Sequence, residues 1–399
     1  HRDLHYPLRR QRQMCIRDRR KEIRAYFSKL MTPAKKAAIQ DREAGDAYKE
    51  IILQIGHDGW LTVGWPEEYG GKGYGAQESL IFFEETRISG APFPFVTVNT
   101  VGPALIAHGS EAHKAFFLPK ISAGELHFSI GYSEPNSGTD LASLTTSAVL
   151  DGDEYVINGN KVYTTSAEAA DYVFLAARTD PDINKRHKGI SILMVSTDQP
   201  GYSFSPIHTV GGHRTNVTYY DNMRCPANMV AGEVNKGWQL ITSQLNHERV
   251  GLAAGSINAI VLYQEVLQWS RQTQVNGRRP IDVAWVQIAL AEAQNILEAM
   301  RVMNWQAAWQ NDQGEPDPAF SSAIKAASAE VVIEVYRLLI DIIGSQGMLQ
   351  SGSAGAVLQG ELEKEYRSCQ INTFGGGVAE VMRDLVARFG LNMKAYKRA

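Results

Sequence analysis

The chain has 399 residues, a formal net charge of -3 at pH 7, and 44% hydrophobic residues. This length predicts two or three domains with sizeable cores, since a domain has roughly 100 to 200 residues. The charge balance supplies no general attraction for nucleic acids or anionic lipids, and no apolar run is long enough for a membrane span. We therefore expect a soluble, cytoplasmic protein with no nucleic-acid or membrane partner.

The cysteines lie far apart in the sequence, at Cys15, Cys225 and Cys369. They form no CxxC pair, so we expect neither a metal site nor a disulfide framework. Cysteines used in this way fit a reducing compartment.

The first 19 residues differ from the rest of the chain, because they are rich in arginine and show no sustained apolar period. Mitochondrial transit peptides are also rich in arginine, but they are amphipathic and poor in acidic residues. Asp3, Asp18 and the lack of an amphipathic pattern argue against such a peptide. We interpret residues 1–19 as a non-native extension and exclude them from the predicted domains.

Three regions of different character follow. Residues 20–126 are predicted to be α-helical, residues 127–235 to form a β domain, and residues 236–399 to return to long helices. The expected fold class is mainly α with a central β domain. This combination identifies no activity by itself, so individual motifs must indicate the function.

Apolar periodicity and turn residues predict the individual elements. Helices are expected at 49–55, 78–85, 239–268, 282–312 and 318–343, with a glycine-rich loop at 60–73. Strands are expected at 154–157, 172–175 and 190–195, and hairpin turns at the dipeptides Asp151-Gly152 and Asn158-Gly159.

The first motif covers residues 130–141 and reads IGYSEPNSGTDL. Pro135 and Gly138 allow a tight irregular loop whose backbone N–H groups can face a ligand. Polar contacts to that ligand would come from the hydroxyl groups of Tyr132, Ser133 and Thr139. The alternative interpretation is an ordinary surface turn.

A second motif covers residues 157–165 and reads INGNKVYTT. Tyr163 and Thr165 are two positions apart, so on a strand both side chains would reach the same ligand surface. Taken alone, this segment also fits an ordinary hairpin.

An acidic residue interrupts an apolar helix face in the third region. Ile241, Leu245, Glu248 and Leu252 recur at helical spacing, so Glu248 is expected on the apolar side. Removal from water would raise the pKa of its carboxyl group toward the range of a general base. A buried ion pair explains the same pattern.

These segments resemble the acyl-CoA dehydrogenase family, whose signature has a Thr/Ser-Glu-Pro-x-x-Gly-Ser/Thr-Asp core. The residues LNHERV at 245–250 resemble a catalytic helix of some members, and similarity extends over about residues 20–390. The resemblance implies an N-terminal helical domain, a middle β-barrel-like domain and a C-terminal four-helix bundle. It also implies FAD as cofactor, an acyl-CoA substrate and electron-transfer flavoprotein as acceptor.

The family's reaction removes a proton from the thioester α-carbon and a hydride from the β-carbon, leaving a trans-2-enoyl-CoA. Most members carry the carboxylate base near the carboxyl terminus, where this chain has Gly376. Resemblance to isovaleryl-type and long-chain-type members assigns the base to Glu248, with Glu380 as the weaker candidate. The backbone N–H of Gly376 is expected to donate to the thioester oxygen.

The resemblance assigns the remaining site residues by position. The cofactor is expected to contact Ile130, Tyr132, Ser133, Thr139, Tyr163, Thr165, Arg271, Gly344, Ser345, Val378 and Glu380. The substrate is expected to contact Thr139, Asn246, Arg249, Gly375 and Gly376. The three successive glycines at 375–377 would leave room for a bulky or branched acyl group.

The glycine triplet and its flanks closely resemble actinobacterial subunits that act on steroid side chains, which form α2β2 heterotetramers with flavins shared between unlike subunits. Two segments that normally hold the adenine end of the neighbour's flavin, 271–277 and 341–347, depart from the family pattern. Asp341 would repel a pyrophosphate. We therefore expect this chain to supply the flavin-ring half and the base, and an unlike partner to supply the adenine half.

Two other interpretations stay open. The chain would be a non-catalytic scaffold subunit if it only completes a partner's FAD site. It would be a homo-oligomeric dehydrogenase for smaller branched acyl-CoA thioesters if it binds FAD without an unlike partner.

Overall fold

The computed structural model describes residues 2–39, 45–242 and 256–394. Its elements follow in the order helical, β and helical, which confirms the expected fold class. Within these described ranges, no helix combines the length and the apolar character needed to cross a membrane.

The first helical region packs its apolar residues into one core. Both helix predictions are confirmed, since residues 49–55 and 78–85 lie inside longer helices, and residues 60–73 form the predicted loop. The helices are α1 (Arg2–Leu30), α2 (Pro33–Ala38), α3 (Asp46–His57), α4 (Ala76–Ser89), α5 (Gly102–His108) and α6 (Glu111–Ser122).

Helix α1 crosses the boundary suggested at residue 20 without interruption. Arg20 and Arg24 of this helix each form an ion pair with Glu85 of α4, and both N–O distances are 2.7 Å. The Glu85 side chain is almost fully buried, so α1 is fixed to α4 by paired charges as well as by apolar contacts. The domain boundaries themselves stay predictions.

The middle region forms one mixed sheet with the order β6-β7-β3-β2-β4-β5-β8, and β1 pairs with β4 in parallel. All three predicted strands are confirmed. The strands are β1 (Phe128–Gly131), β2 (Ser147–Asp151), β3 (Glu154–Lys161), β4 (Tyr172–Arg178), β5 (Ile190–Ser196), β6 (Tyr202–His208), β7 (Arg214–Pro226) and β8 (Val230–Ala231).

One of the two predicted hairpin turns is correct. Asp151 and Glu154 pair at the end of the β2–β3 hairpin, and Gly152 adopts the positive φ that a tight turn needs. The Asn158-Gly159 prediction is wrong, because β3 continues through this dipeptide. The pairing of β3 with β7 shifts register between Ile157 and Gly159, so the glycine marks a β-bulge within the strand.

The central strands of the sheet, β4 and β5, are buried on both faces. Phe174 and Ala176 of β4 belong to the core of the first helical region, whereas Val173 and Leu175 contribute to a second core on the opposite face. The alternation follows from the two-residue period of a strand. Strand β4 therefore packs against the first helical region on one face and against other strands on the opposite face.

The third region contains long helices with their own core. Residues 237–242 begin a helix, α7, at the start of the segment predicted at 239–268, and the other long helix predictions are confirmed. The remaining helices are α8 (Ile257–Gln272), α9 (Ala284–Asp312), α10 (Pro318–Ile343), α11 (Glu361–Cys369) and α12 (Ala379–Leu385).

The two helical regions are joined by a helix cap. Asp312, the last residue of α9, accepts hydrogen bonds from the backbone N–H groups of Ala76 (2.5 Å) and Gln77 (3.2 Å). These groups lie in the first turn of α4, where backbone donors lack partners within the helix. A residue distant in sequence thus supplies the cap of α4.

Candidate functional site

The loop after β1 is built around a buried carboxylate. Glu134 is 6% exposed and accepts hydrogen bonds from Thr145 N (2.7 Å) and Thr146 N (2.8 Å). Its own N–H and C=O pair with the backbone of Ser137 at 2.8 and 3.1 Å, which closes the tight turn that Pro135 begins. Glu134 therefore holds both the turn and the approach to β2.

The charge partner of Glu134 is Lys161, the last residue of β3. Lys161 is fully buried, and its Nζ lies 2.8 Å from Glu134 Oε1 and 3.1 Å from the carbonyl oxygen of Tyr132. Burial alone would raise the pKa of Glu134, but Lys161 and the donors of Thr145 and Thr146 outweigh burial and lower it to about 2. The carboxylate is therefore ionised at neutral pH.

The same ion pair brings the two sequence motifs together. Val162 N donates to the carbonyl oxygen of Ser133 at 2.8 Å, beside the contact of Lys161 with Tyr132. Ile130, Tyr132 and Ser133 are all half-buried. The segments expected to contact one cofactor thus lie side by side, although the cofactor contacts themselves stay predictions.

Tyr163 and Thr165 do not lie on a strand, which corrects the expected local structure. Strand β3 ends at Lys161, and Tyr163 has a φ of 60°, which is uncommon for a residue other than glycine. Both side chains are nevertheless exposed while Thr164 between them is buried, and Thr164 N donates to Asn216 O at 2.9 Å. They therefore share the exposed side, as the two-residue spacing suggested.

The far end of the first loop is exposed and held by an ion pair. Thr139 is exposed, and the next residue, Asp140, lies 2.6 Å from Nη2 of Arg186. Thr139 is thus available to a ligand at the surface.

The glycine triplet lies in a turn before α12. Gly376 and Gly377 have φ values of 65° and 114°, which favour glycine. A Cβ atom at Gly376 would meet no atom within 4 Å. Gly375 N donates to Ile371 O at 2.6 Å, whereas the Gly376 N–H has no acceptor among the described residues.

The predicted residues around the triplet differ in exposure. Val378 is half-buried at the start of α12, and Glu380 is exposed on its first turn. Neither observation tests the predicted contacts with the cofactor.

The residues expected near the neighbour's flavin are all on the surface. Arg271, Gly344 and Ser345 are exposed, and Asp341 is exposed beside Arg337, with 3.7 Å between Oδ2 and Nη1. Arg337 pairs more closely with Glu334, at 2.9 Å, so it compensates the charge of Asp341 only in part.

Three predicted residues, Asn246, Glu248 and Arg249, lie outside the described residues. Leu240 and Ile241 in the described part of α7 are buried, which agrees with the first apolar position of the predicted helix face. The assignment of Glu248 as base stays a prediction.

Sequence reasoning gave no role to Glu134 or Lys161, although they organise the site. Glu134 belongs to the quoted signature, and Lys161 belongs to the second motif. Opposite charges in two motifs that are expected to meet at one ligand would have suggested the pair.

Family comparisons match three successive parts of the chain. Residues 16–125 match the acyl-CoA dehydrogenase N-terminal domain, residues 129–223 the middle domain, and residues 235–391 the C-terminal domain. Together these matches cover most of the chain.

Individual proteins and solved structures are also similar to this chain over most of its length. The acyl-CoA dehydrogenase FadE26 of Mycobacterium tuberculosis is 46% identical over 95% of this chain and 97% of its own length. The ChsE4-ChsE5 complex from Mycobacterium tuberculosis contains a chain with a TM-score of 0.90 and 46% identity, covering 96% of this chain and 98% of that one. A Tcur3481-Tcur3483 steroid ACAD gives a TM-score of 0.91 and 47% identity, with coverages of 96% and 98%.

Replacing Lys161 should destabilise the protein strongly. Lys161→Met leaves Glu134 buried without its cation, so we expect a loss of about 3–5 kcal/mol in the free energy of unfolding at neutral pH. Urea unfolding monitored by circular dichroism measures this loss. Because the folded pKa of Glu134 is lowered, the pair stabilises the fold above the ordinary carboxyl range, and this contribution disappears as the pH falls toward about 2.

The matched control is Arg224→Met, which removes a cation from the exposed pair with Asp151 in the same sheet. It should cost at most about 1 kcal/mol. Equal losses for the two variants, or a Lys161→Met loss that does not shrink in acid, would contradict the role assigned to the buried pair.

Proposed function

The chain belongs to the acyl-CoA dehydrogenase family, whose members are FAD-dependent oxidoreductases, and we propose that it dehydrogenates a bulky or branched acyl-CoA thioester such as a steroid side-chain derivative. The observation that carries this choice of substrate is the open space at Gly376, where most of the family is expected to place a glutamate. The similarity to a steroid ACAD supports it.

The residues present fit a flavin. A flavin ring is flat, with apolar faces and polar edges, and the exposed Tyr163 ring, the Ser133 backbone and the exposed Thr165 hydroxyl provide groups of matching chemistry. Ile130 and Tyr132 would complete this contact. When bound, FAD accepts the hydride that leaves the β-carbon of the substrate.

Glu248 is assigned the role of general base. Its carboxylate takes the proton as the α-carbon C–H bond breaks, and the electron pair of that bond forms the new α,β double bond as the hydride leaves. Asn246 and Arg249, which flank Glu248 in the sequence, are assigned to substrate binding, with Arg249 near the substrate mouth. Glu380, exposed on α12, is the alternative base.

Gly376 stabilises the charge that develops on the substrate. Its N–H has no acceptor among the described residues, so it is able to donate to the thioester oxygen as the α-proton is removed. The donor is a backbone group, and the absence of a side chain at this residue therefore leaves the donor intact.

A second acyl-CoA dehydrogenase-like subunit is proposed to complete the FAD site. The exposed Arg271, Gly344 and Ser345 and the nearby Asp341 motivate this, because a carboxylate whose charge is only partly compensated disfavours a pyrophosphate. One similar structure is a complex of two differently named proteins, and a second carries two protein names. Electron-transfer flavoprotein is proposed as the electron acceptor and the cytoplasm as the location.

Two alternatives make different demands on the site. A non-catalytic scaffold would need neither Glu248 nor the free N–H of Gly376 for the activity of the complex. A homo-oligomeric dehydrogenase for smaller branched thioesters would bind FAD without an unlike partner.

Replacing Glu248 should remove turnover while leaving flavin bound. We expect Glu248→Gln to lower kcat about a hundredfold or more, since a general base contributes on that scale. The assay follows cholanoyl-CoA oxidation with an artificial electron acceptor, and the flavin absorbance reports binding. Glu380→Gln tests the alternative base in the same assay, and a result in which Glu380→Gln is inactive and Glu248→Gln active would reverse the assignment.

Adding a methyl group at Gly376 should discriminate between substrates. Gly376→Ala fills open space beside the expected acyl group, so turnover of cholanoyl-CoA should fall more than that of isobutyryl-CoA. The positive φ adds a strain of roughly 1 kcal/mol.

Gly314→Ala controls for that strain, because Gly314 also has a positive φ and open surroundings but lies in the turn between α9 and α10. Equal losses on both thioesters for Gly376→Ala would show that the space is not used by the acyl group.

The partner proposal predicts the flavin content. The chain purified alone should hold little FAD. Co-expression with an acyl-CoA dehydrogenase-like chain from the same operon should give about one FAD per unlike pair, since the site then lies between subunits. Absorbance and native mass spectrometry measure both quantities. About one FAD per chain in a homotetramer would favour the homo-oligomeric alternative.

A further inference from the structure

Helix α10 contacts the chain on both sides of the glycine triplet at 375–377. On the side before the triplet, Lys325 Nζ donates to the carbonyl oxygen of Asn372 at 2.7 Å. On the side after it, Glu330 accepts two hydrogen bonds from Arg383 of α12, at 2.5 and 2.6 Å. The two anchors lie within two turns of one helix. The segment between Asn372 and Arg383 includes Gly376, whose N–H has no acceptor among the described residues.

Lys325 is an unusual residue for such a contact. It is half-buried between the buried residues Ile324 and Ala326, and burial lowers the pKa of its ammonium group. In the described part of the chain no carboxylate forms an ion pair with it, so its described polar contact is the Asn372 carbonyl. A charge removed from water in this way is costly unless its remaining contacts are well placed.

The turn that Lys325 reaches has few other attachments. Residues Gln370–Thr373 form a single 3-10 turn, and Gly375 N donates back to Ile371 O at 2.6 Å. The triplet itself has no side chains to pack, and a Cβ at Gly377 would meet only Met382. Glycine is also the most flexible residue in the unfolded and folded chain. The position of the Gly376 N–H therefore depends on what fixes the ends of the turn.

We propose that Lys325 is a positioning residue that sets the place of the Gly376 N–H through the Asn372 carbonyl, with the Glu330–Arg383 pair as the second anchor. This inference rests on the proposed function, in which that N–H donates to the thioester oxygen. Lys325 does not touch the substrate in this scheme and acts through the backbone of the turn.

Such a role predicts an effect on the chemical step rather than on binding. A donor that acts when charge develops contributes to the transition state more than to the bound substrate. Displacement of a reacting group by about 1 Å can cost on the order of a hundredfold in rate. Loss of the Lys325 contact should therefore lower kcat and leave KM nearly unchanged.

The test compares Lys325→Met with Lys325→Arg, which keeps a cationic donor. Lys364→Met of α11 is the matched control, because it removes a lysine from the exposed pair with Glu361 in the same region. Each variant is purified as the FAD-containing enzyme, with its partner subunit if one is required. We measure kcat and KM with cholanoyl-CoA, and amide hydrogen exchange of peptides covering residues 370–378.

For Lys325→Met we expect kcat to fall about tenfold to a hundredfold, with KM changed by less than about twofold. Exchange of the hydrogen-bonded amides of Phe374 and Gly375 should be faster, and flavin content unchanged. Lys325→Arg should recover most of kcat, and Lys364→Met should match the wild type. If Lys325→Met fails to fold, Lys325→Gln takes its place with the same expectations.

Wild-type kcat and wild-type exchange in Lys325→Met would overturn the proposal. A fall in kcat accompanied by loss of flavin, without recovery in Lys325→Arg, would assign Lys325 a purely structural role and overturn it as well. If the wild type oxidises no acyl-CoA thioester, the proposed function fails, and the exchange of the Phe374 and Gly375 amides still decides whether Lys325 fixes the turn.

Discussion

The buried ion pair between Glu134 and Lys161 is the constraint on which the β region of the site depends. Lys161 is fully buried at the end of β3, and the pair connects the loop after β1, the start of β2 and the end of β3. Separating the pair would leave an uncompensated charge in the protein interior, which is costly, so these three segments cannot move apart independently. The pair therefore fixes the relative positions of Tyr132 and Tyr163, two of the residues proposed to contact the flavin ring.

In the third region, helix α10 positions a backbone segment of the proposed site. Helix α10 has a largely buried apolar face in the bundle core, while its polar residues Lys325 and Glu330 reach the segment that carries Gly376. The β region thus presents side chains, and the bundle presents a backbone donor. In the proposed mechanism, such a site tolerates the loss of a side chain at Gly376, because the N–H is the group assigned to the substrate.

Local patterns in the sequence predicted what local physics determines. The helix at 78–85 and the strand at 190–195 were predicted correctly from periodicity. The Asn158-Gly159 turn was wrong, because pairing of β3 with the distant β7 outweighs the local turn preference. Glu134 and Lys161 were missed because they are 27 residues apart in sequence, and periodicity gives no information on such contacts.

The candidate site was predicted in a different way from the fold. Composition and spacing alone left Glu248 open between a base and a buried ion pair, and the family resemblance made the choice. Comparisons with known proteins establish the family for the whole chain, but the role of each residue stays a proposal. Sequence does not show whether the N–H of Gly376 has an acceptor, since any glycine-rich turn has the same sequence pattern. The structure shows that it has none among the described residues.

The most direct measurement is an anaerobic titration of the FAD-containing protein with acyl-CoA thioesters, followed by flavin absorbance. The account predicts that cholanoyl-CoA bleaches the oxidised flavin band within the time of mixing and forms the trans-2-enoyl-CoA, while isobutyryl-CoA does so much more slowly. Flavin that stays oxidised with every thioester would contradict dehydrogenation by this chain. Faster bleaching by isobutyryl-CoA would contradict the assignment of a bulky substrate.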